Sequence, residues 1–482
     1  MDKLKHTKIV ATISDKKCDL DFLKTLYEAG MNVIRINTAH QTLESASFII
    51  ERIRKISDSI AILIDTKGPE VRTKNIESPL AVKRGDKLKI KGGEGKPIDS
   101  LFYVDYTGFT NDVSIGDSIL IDDGELELTV VGKNGESLEV VVENDGEIKN
   151  RKSINVPGVS MTLPSITEKD KMFINWASEN EIDFIAHSFV RNKEDVLAVQ
   201  NILDKKKSEI KIIAKIENLD GVNNIEEILD YAYGVMVARG DLGIEIPYEK
   251  IPGIQRRIVR ACVERRKPVI IATQMLHSMI NNPRPTRAEV SDVANAIFYR
   301  TDAIMLSGET AYGDYAVEAV KVMASVANEV ENSKDHRNDL PVFSPENDVP
   351  LILAEAAVLA AKELDVKAIV TDTLSGRTAR YLAAFRSSKP VFAKCHNPRV
   401  KRELALSYGV YADVIKIKKN KDKLVRNALC DLVIKGHLDK SDSVVYVGGG
   451  FGVGGGTTFM EIANVERMTL KNEEESGSSC KN

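Results

Sequence analysis

Residues 210–218 read IKIIAKIEN. Ile210, Ile212, Ile213, Ala214 and Ile216 give a short apolar run with little alternation, the pattern of a parallel strand buried on both faces. The run ends on polar residues, Lys215, Glu217 and Asn218. The next such run, residues 234–241 (GVMVARGD), has the same design and ends on Arg239-Gly240-Asp241. Working outward from this pair, six more runs of the same texture occur, at 7–14, 32–38, 60–66, 182–190, 268–275 and 303–309. Helical segments lie between them. In the first of these Leu23, Leu26 and Tyr27 mark one apolar face and Gly30 supplies a stop. Eight strand–helix repeats predict a (β/α)8 barrel.

One interval breaks this rhythm. Between the third and fourth runs, about a hundred residues carry short alternating β runs and turns. Leu126, Leu128 and Val130 alternate with polar neighbours, as do Leu138, Val140 and Val142, with Lys133-Asn134-Gly135 between them as a hairpin signal. Residues 70–157 therefore read as a small β domain inserted in a loop of a barrel formed by 1–69 and 158–335. After a polar stretch, 331–350, the α/β alternation restarts, so 350–466 read as a separate α/β domain. The charged, Ser/Gly-containing tail, 467–482, is expected to be disordered.

Composition narrows the function. The 482 residues carry a net charge of -4 and 43% hydrophobic residues. A near-balanced charge argues against a nucleic-acid binder, and no apolar run is long enough for a membrane span. The five cysteines are scattered and include no CxxC pair, so neither a disulfide framework nor a zinc site is indicated. The polar N-terminus has no signal-peptide core, which makes the cytoplasm the expected compartment.

In such barrels chemistry sits at the C-terminal strand ends, and that is where this chain concentrates polar groups. Successive runs end on Arg35-Ile36-Asn37, Asp65-Thr66-Lys67, His187-Ser188-Phe189, Lys215-Ile216-Glu217, Arg239-Gly240-Asp241, Thr273-Gln274 and Ser307-Gly308-Glu309. Glu217 and Asp241 are hard oxygen donors suited to Mg2+ or Mn2+. Lys215, two residues from Glu217 on a strand, projects to the same side. A buried lysine beside two carboxylates is also what a structural ion pair looks like. Arg35, Lys67 and Arg72 near the same mouth favour an anionic, phosphorylated substrate instead. Thr273 gains weight only from its place in this ring.

These residues resemble the pyruvate kinase family. The resemblance is carried by 62–72 (ILIDTKGPEVR), 213–218 (IAKIEN), 236–247 (MVARGDLGIEIP), 272–280 (ATQMLHSMI), 283–292 (PRPTRAEVSD) and 305–310 (MLSGET), in that order, and covers about 1–465. It implies a TIM barrel with an inserted β-barrel lid and a C-terminal α/β domain, and transfer of the phosphoryl group of phosphoenolpyruvate to ADP, giving pyruvate and ATP. It implies that Glu217 and Asp241 hold Mg2+, that Lys215 steadies the transferring phosphoryl group and the enolate, and that Arg35 holds the phosphate. The backbone at Ala238, Arg239, Gly240 and Asp241 and the Thr273 hydroxyl would bind the substrate carboxylate. Thr273, or water with Ser307, would belong to the proton route. Asn37, His40, Arg72 and Lys152 match nucleotide-side positions. Asn37, Asp65 and Thr66 match ligands of a K+ ion, with Ala39 where a serine is usual. His277 and Tyr299-Arg300 are further departures, expected to alter packing or subunit contacts. Thr373, Ser375, Gly376, Arg377 and Thr378, with a glycine-rich loop at 448–458, resemble the family's effector pocket for a phosphorylated sugar or nucleotide. The family is commonly tetrameric. Two other readings remain at this stage: a metal-dependent aldolase or lyase acting on a pyruvate enolate, and a non-enzymatic regulatory protein that shares the fold.

Overall fold

The computed structural model describes residues 4–98, 100–333, 348–416, 420–449 and 456–470. Eight parallel strands close a barrel: Lys8–Thr12, Val33–Asn37, Ala61–Asp65, Phe184–His187, Lys211–Ile216, Gly234–Ala238, Val269–Ala272 and Ala303–Leu306. Each lies inside one of the eight runs found in the sequence. The last pairs with the first, with Lys8 beside Ala303.

Strand periodicity then sorts the side chains. Val10, Val33, Leu63, Ala186, Ile213, Met236 and Met305 pack together inside the barrel. Their neighbours Ile9, Ile34, Ile62, Ile185, Ile212, Val235 and Ile304 belong to the core shared with the surrounding helices. Because successive side chains alternate, the residue two positions past each interior one lies on the interior face, nearer the mouth. Those residues are Thr12, Arg35, Asp65, Ser188, Lys215, Ala238 and Ser307. The site is thus the top layer of the barrel filling. The lower end is plugged by Leu406 of the C-terminal domain.

After the third strand the chain leaves for the lid. Seven strands, Val71–Lys74, Lys87–Gly92, Leu101–Val104, Ser118–Ile121, Leu126–Asn134, Ser137–Val142 and Ser153–Asn155, close a second small barrel around its own apolar core. The expected hairpin forms with a slightly different turn. Asn134 still pairs with Ser137, and Gly135, at φ 60°, opens the turn.

The C-terminal domain is a five-stranded sheet in the order Val410–Val414, Val391–Cys395, Ala368–Thr373, Ser443–Gly449, Thr457–Asn464, antiparallel only at the last pair. Helices Val349–Glu363, Arg377–Ala384, Pro398–Glu403 and Lys421–Ile434 cover it. The expectation of a disordered tail from residue 467 needs correcting. Helix Val465–Leu470 continues past that point, with Val465 and Met468 buried in the domain core. Residues 471–482 lie outside the described residues, as does most of the stretch 331–350. Among the described residues no helix is long and apolar enough to cross a membrane.

Candidate active site

Lys215 is the centre of the barrel mouth. Its ammonium lies 2.9 Å from Glu217 Oε1 and 3.1 Å from Asp65 Oδ1, and donates to Ser188 Oγ at 2.7 Å. Arg35 Nε meets the other oxygen of Asp65 at 2.6 Å. Arg35 also donates to Thr12 Oγ1, at 3.0 Å. Glu217 is only 1% exposed, and its second oxygen accepts the Phe189 N–H at 2.8 Å.

The charges explain each other. Burial alone lifts the Asp65 carboxyl, but Arg35 and Lys215 outweigh it and hold Asp65 below the usual range. Burial works against the Lys215 ammonium, yet Asp65 and Glu217 hold its pKa above the ordinary lysine value. Glu217 moves the other way: burial, with Asp241 and Asp65 nearby, pushes it up against the pull of Lys215. Three carboxylates therefore share two cations at this mouth. A divalent cation fits that deficit, and the donors are hard oxygens of the kind Mg2+ prefers. Among the described residues no three His, Cys, Asp or Glu side chains gather into a complete cage. The remaining positions would fall to substrate and water, as is usual for Mg2+.

The second half of the ring is shaped by backbone strain. Thr273 and Gln274 have φ of 69° and 54°, and Phe189 has 55°, a region that non-glycine residues rarely occupy. At Thr273 this turns the hydroxyl toward helix Arg239–Glu245, where it accepts the Gly240 N–H at 2.7 Å and donates to the Ala272 carbonyl at 2.6 Å. Arg239 is fixed by Asp292 at 2.6 Å and by the Thr273 carbonyl at 2.8 Å. The buried Ser307 Oγ has no hydrogen-bond partner among the described residues. Its own N–H is held by Glu309, which also accepts the Leu276 N–H.

Other expected residues sit farther out. Asn37 Oδ1 accepts the Ala39 N–H at 3.1 Å, and the Ala39 carbonyl accepts from Lys169 at 3.1 Å. The Thr66 carbonyl accepts from Ser188 Oγ at 2.7 Å. Arg72 is held within the lid approach by Glu70 at 2.7 Å and the Arg151 carbonyl at 2.6 Å. Lys152 pairs with Asp122 at 2.6 Å. Neither bonds to the Lys215 cluster in this structure. His40 is exposed, and its N–H closes a turn onto the Asn37 carbonyl.

In the loop 373–378, Gly376 has φ 76° and its N–H donates to Thr373 Oγ1 at 2.9 Å. Thr378 and Thr457 hydroxyls meet at 2.6 Å, and Arg377 pairs with Asp348 at 3.2 Å. Of the five loop residues, Ser375 and Arg377 face solvent. Residues 450–455 of the glycine-rich loop lie outside the described residues. Arg300, one of the departures, is an inter-domain residue that donates to the Ala384 carbonyl at 2.8 Å.

Sequence reasoning assigned no role to Ser188 or Thr12. Ser188 had been noted as a strand-end residue, but its bridging of Lys215, Thr66 and Asp65 is a tertiary fact. Thr12 falls on the same interior parity as Arg35 and Asp65, a signal that was present in the first strand.

Comparison with known proteins agrees with this geometry. Residues 4–320 match the family model "Pyruvate kinase, barrel domain" and residues 352–463 match "Pyruvate kinase, alpha/beta domain". A pyruvate kinase of Borreliella burgdorferi is 50% identical over 471 residues, covering 96% of this chain and 98% of that one. One from Geobacillus stearothermophilus is 44% identical over 481 residues, 97% of this chain and 82% of that one. The crystal structure of a pyruvate kinase from Cryptosporidium parvum superposes with a TM-score of 0.90 at 35% identity, covering 96% of both chains. The lyase and non-enzymatic readings are set aside by a match that spans both the barrel and the C-terminal domain. With its lid, its strand-end charges and both of its matched domains, this chain belongs to the pyruvate kinase family, whose members transfer the phosphoryl group of phosphoenolpyruvate to ADP.

Proposed function

We propose that the barrel-mouth residues divide the transfer of phosphate from phosphoenolpyruvate to ADP among themselves in the following way. Glu217 and Asp241 hold a divalent cation, Mg2+ or Mn2+. When bound, it supplies Lewis-acid polarisation of the substrate oxygens. Lys215, held protonated between Asp65 and Glu217, donates to the transferring phosphoryl group and to the enolate oxygen that its departure leaves. Such donors act on charge that develops only as the bond breaks, so they favour the transition state over the ground state. Arg35, aimed by Asp65 and Thr12, grips the phosphate. The backbone N–H groups at Ala238, Arg239, Gly240 and Asp241 and the Thr273 hydroxyl orient the carboxylate. The partnerless Ser307 hydroxyl, with Thr273 and water, lies on the route that protonates enolpyruvate.

On the nucleotide side, Asn37, His40, Arg72 and Lys152 meet ADP when the lid closes, with a second Mg2+ on the nucleotide. Closure excludes water that would otherwise take the phosphate. Asn37, Asp65 and the Thr66 carbonyl take K+. Ala39 supplies no hydroxyl, so the ion is bound weakly or with water completing its shell. In the C-terminal domain, Thr373, Ser375, Gly376, Arg377 and Thr378 bind a phosphorylated sugar or nucleotide that activates the enzyme. The exposure of Ser375 and Arg377 at the start of helix Arg377–Ala384, whose N-cap has no side-chain cap hydrogen bond, supports this. The enzyme works in the cytoplasm as a homotetramer.

The Lys215–Glu217–Asp65 cluster beside Asp241 carries this reading. Its test is ATP formation from phosphoenolpyruvate and ADP in wild type and Lys215→Met, with and without Mg2+ and K+. Full turnover without a divalent metal, or in Lys215→Met, would overturn it.

A further inference from the structure

An ammonium carries three N–H donors and no acceptor. At Lys215 the three meet Ser188 Oγ at 2.7 Å, Glu217 Oε1 at 2.9 Å and Asp65 Oδ1 at 3.1 Å. These contacts account for all of its donors. Burial disfavours the charge, but the two carboxylates outweigh it and the group stays an ammonium. Asp65 and Glu217 thus supply the charge partners. Ser188 is neutral, so what it adds is direction.

The hydroxyl is itself held firmly. Because Lys215 can only donate to it, the Ser188 proton must go elsewhere. The Thr66 carbonyl accepts it at 2.7 Å, with Asp65 Oδ1 farther off at 3.3 Å. The Ser188 N–H also donates to Thr66 Oγ1 at 3.0 Å. Two bonds therefore tie Ser188 to the residue that follows strand Ala61–Asp65. Gly68 closes in behind it, at φ 72°, where a Cβ would lie 2.8 Å from Ser188 Cβ. Asp65 is just as fixed, since Arg35 grips its other oxygen at 2.6 Å. Glu217 is the acceptor that the reading above commits to a divalent cation.

We propose that Ser188 is a positioning residue: with Asp65 it fixes the rotation of the Lys215 ammonium, so that the third N–H, which meets Glu217 here, is the one that serves the transferring phosphoryl group. An ammonium turns about its Cε–Nζ bond unless its acceptors are fixed. Two fixed acceptors set that rotation, and tetrahedral geometry then sets where the remaining N–H points. A hydroxyl suits the task because it accepts from Lys215 and passes its own proton to Thr66 at once. Ser188 acts through Lys215, and misaiming a donor at the reacting group costs up to about a hundredfold in rate.

The proposal rests on Lys215 and Glu217 serving the reaction as described above. That reading fails on the Lys215→Met and metal-free assays, whereas the tether is read on Ser188 variants of the full chain with those residues intact. Ser188→Ala is expected to lower kcat between about tenfold and a hundredfold, with the phosphoenolpyruvate KM within about threefold of wild type. Ser188→Thr and Ser188→Val add the same bulk beside Gly68 and differ only in the hydroxyl. The threonine variant should therefore be at least about tenfold faster than the valine one. If Ser188→Val does not fold, Ser188→Ala against Ser188→Thr carries the comparison. A second measurement needs no turnover: calorimetric titration of the substrate-free enzyme with Mn2+. Without Ser188 the ammonium leans harder on Glu217, so Ser188→Ala should weaken Mn2+ binding about threefold to tenfold. In a Lys215→Met background the same change should leave Mn2+ binding unaltered, because the tether has nothing to hold. A kcat within about twofold of wild type in Ser188→Ala, equal rates for the threonine and valine variants, or a loss confined to the phosphoenolpyruvate KM would overturn the tether. So would a change in Mn2+ binding that is the same with and without Lys215, which would make Ser188 a packing residue only.

Discussion

The two ends of the barrel both bury ion pairs, and they use them for opposite purposes. At the lower end, Asp302 accepts the Val269 N–H at 3.1 Å and meets Arg386 of the C-terminal domain at 2.7 Å. Asp183 does the same on the other side, accepting the Ile62 N–H at 2.9 Å and meeting Arg402 at 2.7 Å. Each carboxylate is saturated by a strand start and a neighbouring domain, and nothing is left for a ligand. At the mouth, Asp65, Glu217 and Asp241 outnumber their cations, and the Ser307 hydroxyl is left without a partner. A buried ion pair is therefore no sign of chemistry in itself. What marks the site is charge left unbalanced and facing the open end.

Mutations can break or sharpen this contrast. The largest effect is expected from Glu217→Gln. It should lower kcat by about a thousandfold or more, in line with losing a main transition-state contact. In EDTA its melting temperature should be no lower than that of wild type, because a carboxylate held high by burial and by Asp241 and Asp65 is a folding cost. A clear fall in Tm would show that the mouth is a structural pair after all.

Arg386→Met should give the reverse pattern. Removing one partner of a buried pair costs about 3–5 kcal/mol, which denaturant unfolding would report, while kcat of the folded enzyme stays within about twofold. A collapse of kcat at full stability would erase the distinction between the ends. Ser307→Ala is expected to lower kcat about tenfold with little change in the phosphoenolpyruvate KM, as befits a relay through water rather than a primary acid. An unaltered kcat would remove Ser307 from the proton route. The smallest effect belongs to Ala39→Ser. Restoring the hydroxyl should tighten K+ activation by about threefold to tenfold, the worth of one added ligand oxygen or modest hydrogen bond. A titration of activity against K+ that does not move would place the hydroxyl outside the ion's shell.

Much of this was legible beforehand for a physical reason. Parallel strands buried on both faces leave apolar runs such as 210–218 that need no partner information to be seen. Their polar ends flagged Arg35, Asp65, Lys215, Glu217 and Asp241 together. The hairpin at 126–142 was legible too, although its turn begins at Gly135 because the pairing extends as far as Asn134, opposite Ser137. The first residues of the tail, 467–470, were misread from composition. Met468 and Val465 are too few to show as an apolar run, yet they find a core to bury in. Ser188 and Thr12 carry no assigned role in the sequence because hydroxyls are common at strand ends, and only their neighbours join Ser188 to Lys215 and Thr12 to Arg35.

The sequence by itself determined the period-2 and period-3.6 patterns, and with them a barrel, an inserted lid, a second α/β domain and a ring of strand-end charges. Those follow from local residue order, because burial imposes its period on the chain directly. Only the tertiary structure decided which charges cancel and which remain open. It put three carboxylates against two cations at one end of the barrel and saturated Asp183 and Asp302 at the other. Electrostatics depends on distances between elements, and no spacing along a sequence encodes those.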